Sequence, residues 1–178
     1  QLEINKETVT GEVIEQMISG MSQGKTAIDL KLVDTRTNTD VDFCDVGFGI
    51  VQGLPLIAEV AQENHVMMCV EQPEIHLHPK MQASLMELFM YSSLVNKNQF
   101  IIETHSENLL LRAQKVIRKG MVIDNQNTEI ETNFISVFNV SSTDQDGSEV
   151  QKIILDSKGE FKTHWKDGFF SERLDELF

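Results

Sequence analysis

Side chains that can bind cations or move protons follow an apolar run in the middle of the chain. The run is Val66–Val70. The polar side chains that come directly after it are Glu71, Gln72, Glu74, His76 and His78. In an open parallel sheet the carboxyl ends of the strands face the ligand crevice, so we expect Glu71 and Gln72 at the mouth of a site. That position suits a ligand of a metal ion bound to phosphate.

A second strand-to-helix unit follows the first one. Pro79 favours a helix start directly after the acidic and histidine cluster. The next strand is predicted at Gln99–Glu103, and His105 and the helix-capping Ser106 follow it. Strands that alternate with helices predict an α/β fold, with a largely parallel sheet flanked by helices.

Two glycines precede a third predicted helix, which should begin near Val51. Gly47 and Gly49 allow close backbone approach, and the free amides and the dipole of a helix start form an anion site. An ordinary flexible turn is the alternative. Pro55 is then expected in the early turns of that helix, where its missing amide matters least.

The remaining segments supply helices and hairpins around these units. Spaced apolar residues predict an amphipathic helix over 8–21. Gly24-Lys25-Thr26 is a turn rather than a phosphate loop, because Ser19 stands where that motif needs glycine. Alternation predicts a hairpin from strands at 28–33 and 39–43, and a small β-hairpin region near the C-terminus from strands at 134–140 and 149–155.

Composition predicts one globular lobe over residues 1–178, in three parts. These parts are 27–62, 66–120 and 121–178. The chain is 40% hydrophobic, and none of its runs is long or apolar enough to span a bilayer. Cys44 and Cys69 form neither a disulfide framework nor a zinc spacing, so we expect a cytoplasmic protein without a membrane contact. The net charge is −13, and residues 121–150 hold six acids and no lysine or arginine, so nucleic acid would have to bind elsewhere.

Three stretches together resemble nucleotide-binding motifs in their family order. Residues 46–52, 70–79 and 102–109 resemble the signature, Walker B/D-loop and switch-histidine motifs of ABC-type ATPases. The chain is most similar to AAA-family ATPases related to the OLD, SMC and DNA-repair ATPases. One subgroup of these also has a C-terminus that looks like Trp165 to Leu177. The resemblance implies the C-terminal lobe of an ABC-type P-loop NTPase.

The resemblance assigns roles around the phosphates of ATP. Glu71 takes the place of the Walker B acid, which holds Mg²⁺ through water. Gln72 stands at the usual position of the general base, where its amide can only orient water, so Glu74 or Glu103 would supply the carboxylate. His105 matches the histidine that touches the γ-phosphate. ATP hydrolysis is therefore expected only if another carboxylate replaces Gln72 as the general base.

The other matched residues face a neighbouring subunit in the family. By that resemblance Gly47, Phe48, Gly49 and Gln52 bind ATP held on the opposite subunit. His76 and His78 match the D-loop, which lies across the dimer interface. Val51 replaces a serine common in relatives, and so removes a hydroxyl that could reach the phosphate.

The function implied is ATP binding and hydrolysis by the C-terminal half of an ATPase whose Walker A loop lies outside this chain. ATP and Mg²⁺ are the expected cofactors. The expected partners are the N-terminal half of the same ATPase and a second copy bound with ATP, with DNA or an effector protein as a further partner. The isolated chain should be nearly inactive.

Two other classes of function remain open from the sequence. A metal-dependent hydrolase or nuclease would use Glu71, His76, His78 and His105, because a His-x-His pair near a strand end can bind zinc. A non-catalytic dimerisation module is the other alternative, and Gln72 at the base position favours it. Bound zinc would favour the hydrolase, and ATP turnover would exclude the module.

Overall fold

A computed structural model describes residues 32–34, 36–61, 65–143, 147–163 and 165. The chain divides into two compact units, Gln1–Gly47 and Phe48–Phe178. The helix predicted over 8–21 and the turn predicted at Gly24–Thr26 lie outside the described residues. The single lobe predicted over 1–178 stays a prediction.

The first unit contains the predicted hairpin. Strands β1 (Leu32–Asp34) and β2 (Thr39–Val41) pair antiparallel, and a 3-10 turn follows at Phe43–Asp45. Arg36 closes the hairpin turn, because its guanidinium and its backbone N–H both donate to the Asp34 carboxylate. The side-chain hydrogen bond from Arg36 and then the backbone one lower the pKa of Asp34 to about 2.

The second unit begins with the alternating elements that the sequence predicts. Helix α1 (Phe48–Val60), strand β3 (Met67–Glu71), helix α2 (Pro79–Val95), strand β4 (Gln99–Glu103) and helix α3 (Glu107–Lys119) follow one another. Strands β3 and β4 pair in parallel, from Met67 opposite Gln99 to Glu71 opposite Glu103. The two consecutive strand-to-helix units are therefore confirmed.

Local chemistry sets the ends of the helices. Pro79 opens α2, and His78 caps it by accepting a hydrogen bond from the Lys80 N–H at Nδ1, 3.2 Å away. Gly120 ends α3 with a φ of 76°, a conformation that disfavours side chains with a Cβ. Ser106 takes the predicted capping position of α3, but its hydroxyl does not cap the helix.

The hydrophobic core lies between α2, α3 and one face of the β3–β4 pair. Phe89 and Leu109 are among its most buried side chains, at 2% and 1% exposure. Phe100 on β4 packs its ring 5.0 Å from the ring of Phe89. The other buried members include Leu85, Met86, Met90, Ala113 and Val116. These side chains recur three and four residues apart, which is the spacing that brings one helix face to a core.

A buried polar network fixes the end of α1 against α2 and β3. Ser92 donates from Oγ to the Val60 carbonyl at 2.7 Å, and it accepts from Asn98 Nδ2 at 2.9 Å. The other amide atom of Asn98, Oδ1, accepts the Val66 N–H at 3.0 Å. Each bond satisfies a group that would otherwise be buried without a partner, so the three elements keep one arrangement.

Two hairpins follow α3. Strands β5 (Met121–Ile123) and β6 (Gln126–Thr128) were not predicted, whereas the last hairpin was. This last hairpin consists of β7 (Val137–Thr143) and β8 (Gly147–Ile153). Strand β7 begins three residues later than predicted, and strand β8 begins two residues earlier. A 3-10 turn at Thr132–Phe134 links the hairpins.

The described part of the chain is α/β, but its strands form small pairs. Only β3–β4 is parallel among the described strands, and the other three pairs are antiparallel. A larger parallel sheet stays a prediction. None of the described helices has the length and apolar character that a bilayer crossing requires.

Candidate functional site

Two loops meet at the carboxyl ends of β3 and β4. We call residues 72–78 the β3–α2 turn and residues 104–106 the β4–α3 loop. An open depression of about 750 Å³ lies between them. Its lining includes Gln72, Glu74, His76, His105, Ser106 and Asn108. Four of the residues that the sequence predicts for the site are therefore brought together in one place.

Two exposed carboxylates stand at the strand ends. Glu71 and Glu103 are register partners of the parallel pair, so both side chains point to the same face of the sheet. His105 Nε2 lies 3.2 Å from Glu103 Oε1. Carboxylate oxygens are the ligands that Mg²⁺ prefers, and it usually keeps several waters. The donor set therefore fits the Mg²⁺ that the sequence predicts at Glu71.

Gln72 has an unusual backbone conformation. Its φ is 44°, in the left-handed region that non-glycine residues rarely adopt. Its N–H continues the sheet ladder by donating to the Glu103 carbonyl at 2.9 Å. His76 is also left-handed, with a φ of 62°. Strained conformations of this kind concentrate at functional sites, where the surrounding structure holds them in place.

Glu74 is buried, at 8% exposure. One of its oxygens, Oε1, accepts the His105 N–H at 2.8 Å. The other, Oε2, is buried and has no hydrogen-bond partner among the described residues. A carboxylate held in this way orients the backbone at His105, and bulk water does not reach it. This placement favours Glu103 over Glu74 as the carboxylate that could accept a proton.

The start of α1 packs against the β3–α2 turn. A Cβ at Gly49 would overlap the His76 carbonyl, so only glycine allows this approach. The exposed ring of Phe48 meets the ring of His76 edge to face, with centroids 5.3 Å apart. The glycine predicted to bind a phosphate therefore has a packing role within its own unit. Gly47, by contrast, has nothing within 4 Å of its Cβ direction.

The helix that carries these residues begins earlier than the sequence predicts. It starts at Phe48 rather than near Val51, so Pro55 lies inside it instead of in its early turns. The proline removes the amide that would bond to the Val51 carbonyl. Gln52 is exposed on the first turns of the helix.

Three polar residues of the site were missed. Gln82 on α2 joins Ser106 and Asn108 on the far side of the depression, and all three are connected by hydrogen bonds. Their signal in the sequence is a polar side chain in the first turn of each predicted helix. Gln82 follows Pro79 by three residues, which brings it to the face of α2 near the turn.

The residues expected of a metal-dependent hydrolase do not converge. In the described ranges only Asp42, Cys44 and Asp45 bring three possible ligand atoms within 4.8 Å of one another. They are exposed and belong to the first unit. Glu71, His76, His78 and His105 form no such group there. Nδ1 of His78 is already occupied by the helix cap.

A comparison with protein families decides the class. The family model described as AAA ATPase domain matches residues 1–110. The chain belongs to the AAA ATPase domain family. The match extends through all three motif stretches and both loops of the depression, and the general function it supports is that of an ATPase. No curated protein and no solved structure shows significant similarity to the chain.

Proposed function

We propose that this AAA ATPase domain is the C-terminal half of an ABC-type ATPase, and that it binds and hydrolyses ATP across a two-fold dimer. The observation that carries the proposal is the meeting of three motif loops in one unit. Gly49 packs on the His76 carbonyl, and Glu74 holds the N–H of His105. Three separate stretches of sequence that resemble the nucleotide motifs thus form one continuous surface.

The roles follow from the placement of each side chain. Glu71 would hold Mg²⁺ through coordinated water, with Glu103 beside it at the end of the neighbouring strand. Gln72 orients the attacking water. Glu103, the exposed carboxylate at the end of the neighbouring strand, accepts the proton of that water. His105, whose Nε2 is already paired with Glu103, contacts the γ-phosphate.

The second half of the ATPase is proposed to cover the open face of β3–β4. Met67 and Ile101 on that face are 64% and 60% exposed. Parallel sheets in known folds are covered on both faces. An N-terminal half that carries the phosphate-binding lysine loop would bury this face, and would extend the pair into a larger parallel sheet.

The dimer and its downstream partner rest on the resemblance to the OLD, SMC and DNA-repair ATPases. Gly47, Phe48 and Gln52 are proposed to reach ATP held on a second copy, with His76 and His78 near the two-fold axis. A DNA-related or defence effector in the cytoplasm is the proposed partner of the assembled ATPase.

The proposal is tested by two substitutions in the complete ATPase. Glu71→Gln removes a charge that holds Mg²⁺, so ATP turnover should fall by roughly 100-fold or more, and extra Mg²⁺ should restore it only in part. Gln72→Glu replaces the amide that orients water with a carboxylate that repels Glu71 and Glu103, so turnover should fall.

Steady-state phosphate release measures both variants. Normal turnover in Glu71→Gln would contradict the Mg²⁺ assignment. A higher rate in Gln72→Glu, with unchanged Mg²⁺ dependence, would mean that Gln72 only occupies the base position of a slow ATPase and does not position the water. Absence of any turnover in the complete wild-type protein would favour a non-catalytic dimerisation module.

A further inference from the structure

The side chain of Gln82 uses every hydrogen-bonding position of its amide. On one side Nε2 donates to the Leu77 carbonyl at 3.0 Å and to the Glu74 carbonyl at 3.4 Å. On the other side Oε1 accepts from Ser106 Oγ at 2.7 Å and from Asn108 Nδ2 at 2.9 Å. One amide therefore connects the β3–α2 turn with the β4–α3 loop and the first turn of α3.

Only glutamine can make this set of contacts. A primary amide has two N–H donors and a carbonyl oxygen that accepts twice, and all four are used. Reversing the amide would place its oxygen against two carbonyl oxygens, so the orientation follows from the partners. Leucine has no polar atoms, glutamate has no donors for the turn, and asparagine is one methylene shorter.

A second link runs parallel to the first. Glu74 belongs to the β3–α2 turn, and its Oε1 accepts the N–H of His105 in the β4–α3 loop. Gln82 binds the carbonyl of that same Glu74. The two links join at one residue, so the loss of Gln82 should loosen both loops together.

We propose that Gln82 is a positioning residue that couples the β3–α2 turn to the β4–α3 loop, and so holds His76 and His105 in a fixed arrangement. The effect on ATP turnover rests on the proposed function, whereas the link between the loops does not. Gln82 itself does not touch the reacting atoms. It fixes the position of His105, which is proposed to contact the γ-phosphate, relative to the β3–α2 turn, which is proposed to face the second subunit.

Hydrogen exchange in the complete protein tests the link directly. Gln82→Leu keeps a similar side-chain volume and removes all four bonds, so amide exchange over 104–108 should rise roughly tenfold, as should exchange over 74–78. Gln114→Leu is the matched control, because it makes the same change on α3 outside the depression. Unchanged exchange in both segments of Gln82→Leu would overturn the proposal.

Two further variants separate the sides of the link. Gln82→Glu keeps an acceptor for Ser106 and Asn108 but loses the donors, so exchange should rise more over 74–78 than over 104–108. Ser106→Ala removes a single donor and should raise exchange over 104–108 several-fold. It also replaces Gln82→Leu as the test if that variant does not fold, and no local change in Ser106→Ala would then overturn the proposal.

Kinetics separate positioning from a purely structural role. Gln82→Leu should lower kcat roughly tenfold and leave the KM for ATP within about twofold, because the contacts that are lost position groups rather than bind nucleotide. Unchanged kcat in a variant with raised exchange would overturn the positioning role. If the wild-type protein hydrolyses no ATP, the proposed function fails, and the exchange measurements still decide whether the link exists.

Discussion

At the scale of single residues, Gly49 occupies a position where a mutation would affect both the packing of the domain and the proposed nucleotide contact. The Gly-Phe-Gly stretch resembles a signature that binds nucleotide on a second subunit. In the structure Gly49 is buried, and its missing side chain admits the His76 carbonyl. A substitution at Gly49 would therefore disturb the fold before it could report on nucleotide binding.

Gly49→Ala should destabilise the domain, whereas Gly53→Ala should not. An alanine methyl at position 49 meets backbone atoms, and such overpacking costs about 1–3 kcal/mol. At position 53 the methyl would lie 3.8 Å from Leu77 Cδ2, an ordinary contact, and alanine favours the helix by roughly 0.5–1 kcal/mol over glycine. Urea unfolding of both variants measures the difference, and equal stabilities would contradict the packing role.

Residue identity predicted which side chains lie at the site better than it predicted their tasks. Glu71 and Gln72 were predicted at the site from a strand end, because a parallel pair brings its carboxyl ends to one edge, whereas Glu74 and His105 were predicted from the family resemblance. The buried bond from Glu74 to the His105 N–H could not be predicted. It depends on a left-handed turn at Gln72 and His76, where the sequence has no glycine.

At the scale of elements, strands with strong apolar character were predicted nearly to the residue. β4 has the predicted bounds, and Pro79 opens α2 as expected. The β5–β6 hairpin was missed because its strands have three residues each. Its turn is formed by Asp124 and Asn125, both left-handed, with φ of 49° and 63°. A turn of that type is more easily recognised when glycine occupies its second position.

A second tight turn docks the segment after β8 onto α3. Asp156 Oδ1 accepts the N–H groups of Lys158 and Glu160, and Oδ2 pairs with Lys162 at 2.9 Å. Arg118 on α3 donates to the Lys158 carbonyl at 2.9 Å. The hydrogen bond from the Glu160 N–H and then the one from Lys162 lower the pKa of Asp156 from 3.8 to about 2.

Asp156→Asn should reduce stability in a pH-dependent way. Because the pKa of Asp156 is lower in the folded state, its stabilising effect is present above about pH 4 and is lost as the pH falls towards 2. The difference in unfolding free energy between wild type and variant should therefore shrink over that range. Chemical unfolding at several pH values measures it, with Asp124→Asn on the β5–β6 turn as the control. A constant difference from pH 5 to pH 2 would contradict the assignment.

At the scale of the whole molecule, the open face of β3–β4 leads to a prediction about assembly. Ile101→Lys should leave the unfolding of residues 1–178 unchanged, because the side chain is 60% exposed. If the proposed N-terminal half covers this face, the same lysine is buried there without a partner, so thermal stability and ATP turnover of the two halves together should both fall.

Val122→Lys is the matched control for this surface. Val122 is another aliphatic strand residue, and it is 68% exposed on β5. Calorimetry and phosphate release on the complete protein compare the two variants. Equal behaviour of Ile101→Lys and Val122→Lys would mean that the β3–β4 face is not covered by the second half of the ATPase.

The same pair of strands bears on how the polypeptide behaves during its synthesis. In the ranges that the structure describes, β3 and β4 pair only with each other, so their outer edges present free N–H and C=O groups beside exposed Met67 and Ile101. Edges of this kind are templates for intermolecular strand pairing. Residues 1–178 expressed alone at high concentration should therefore aggregate. Co-expression with a segment that pairs with those strand edges should keep the protein in solution.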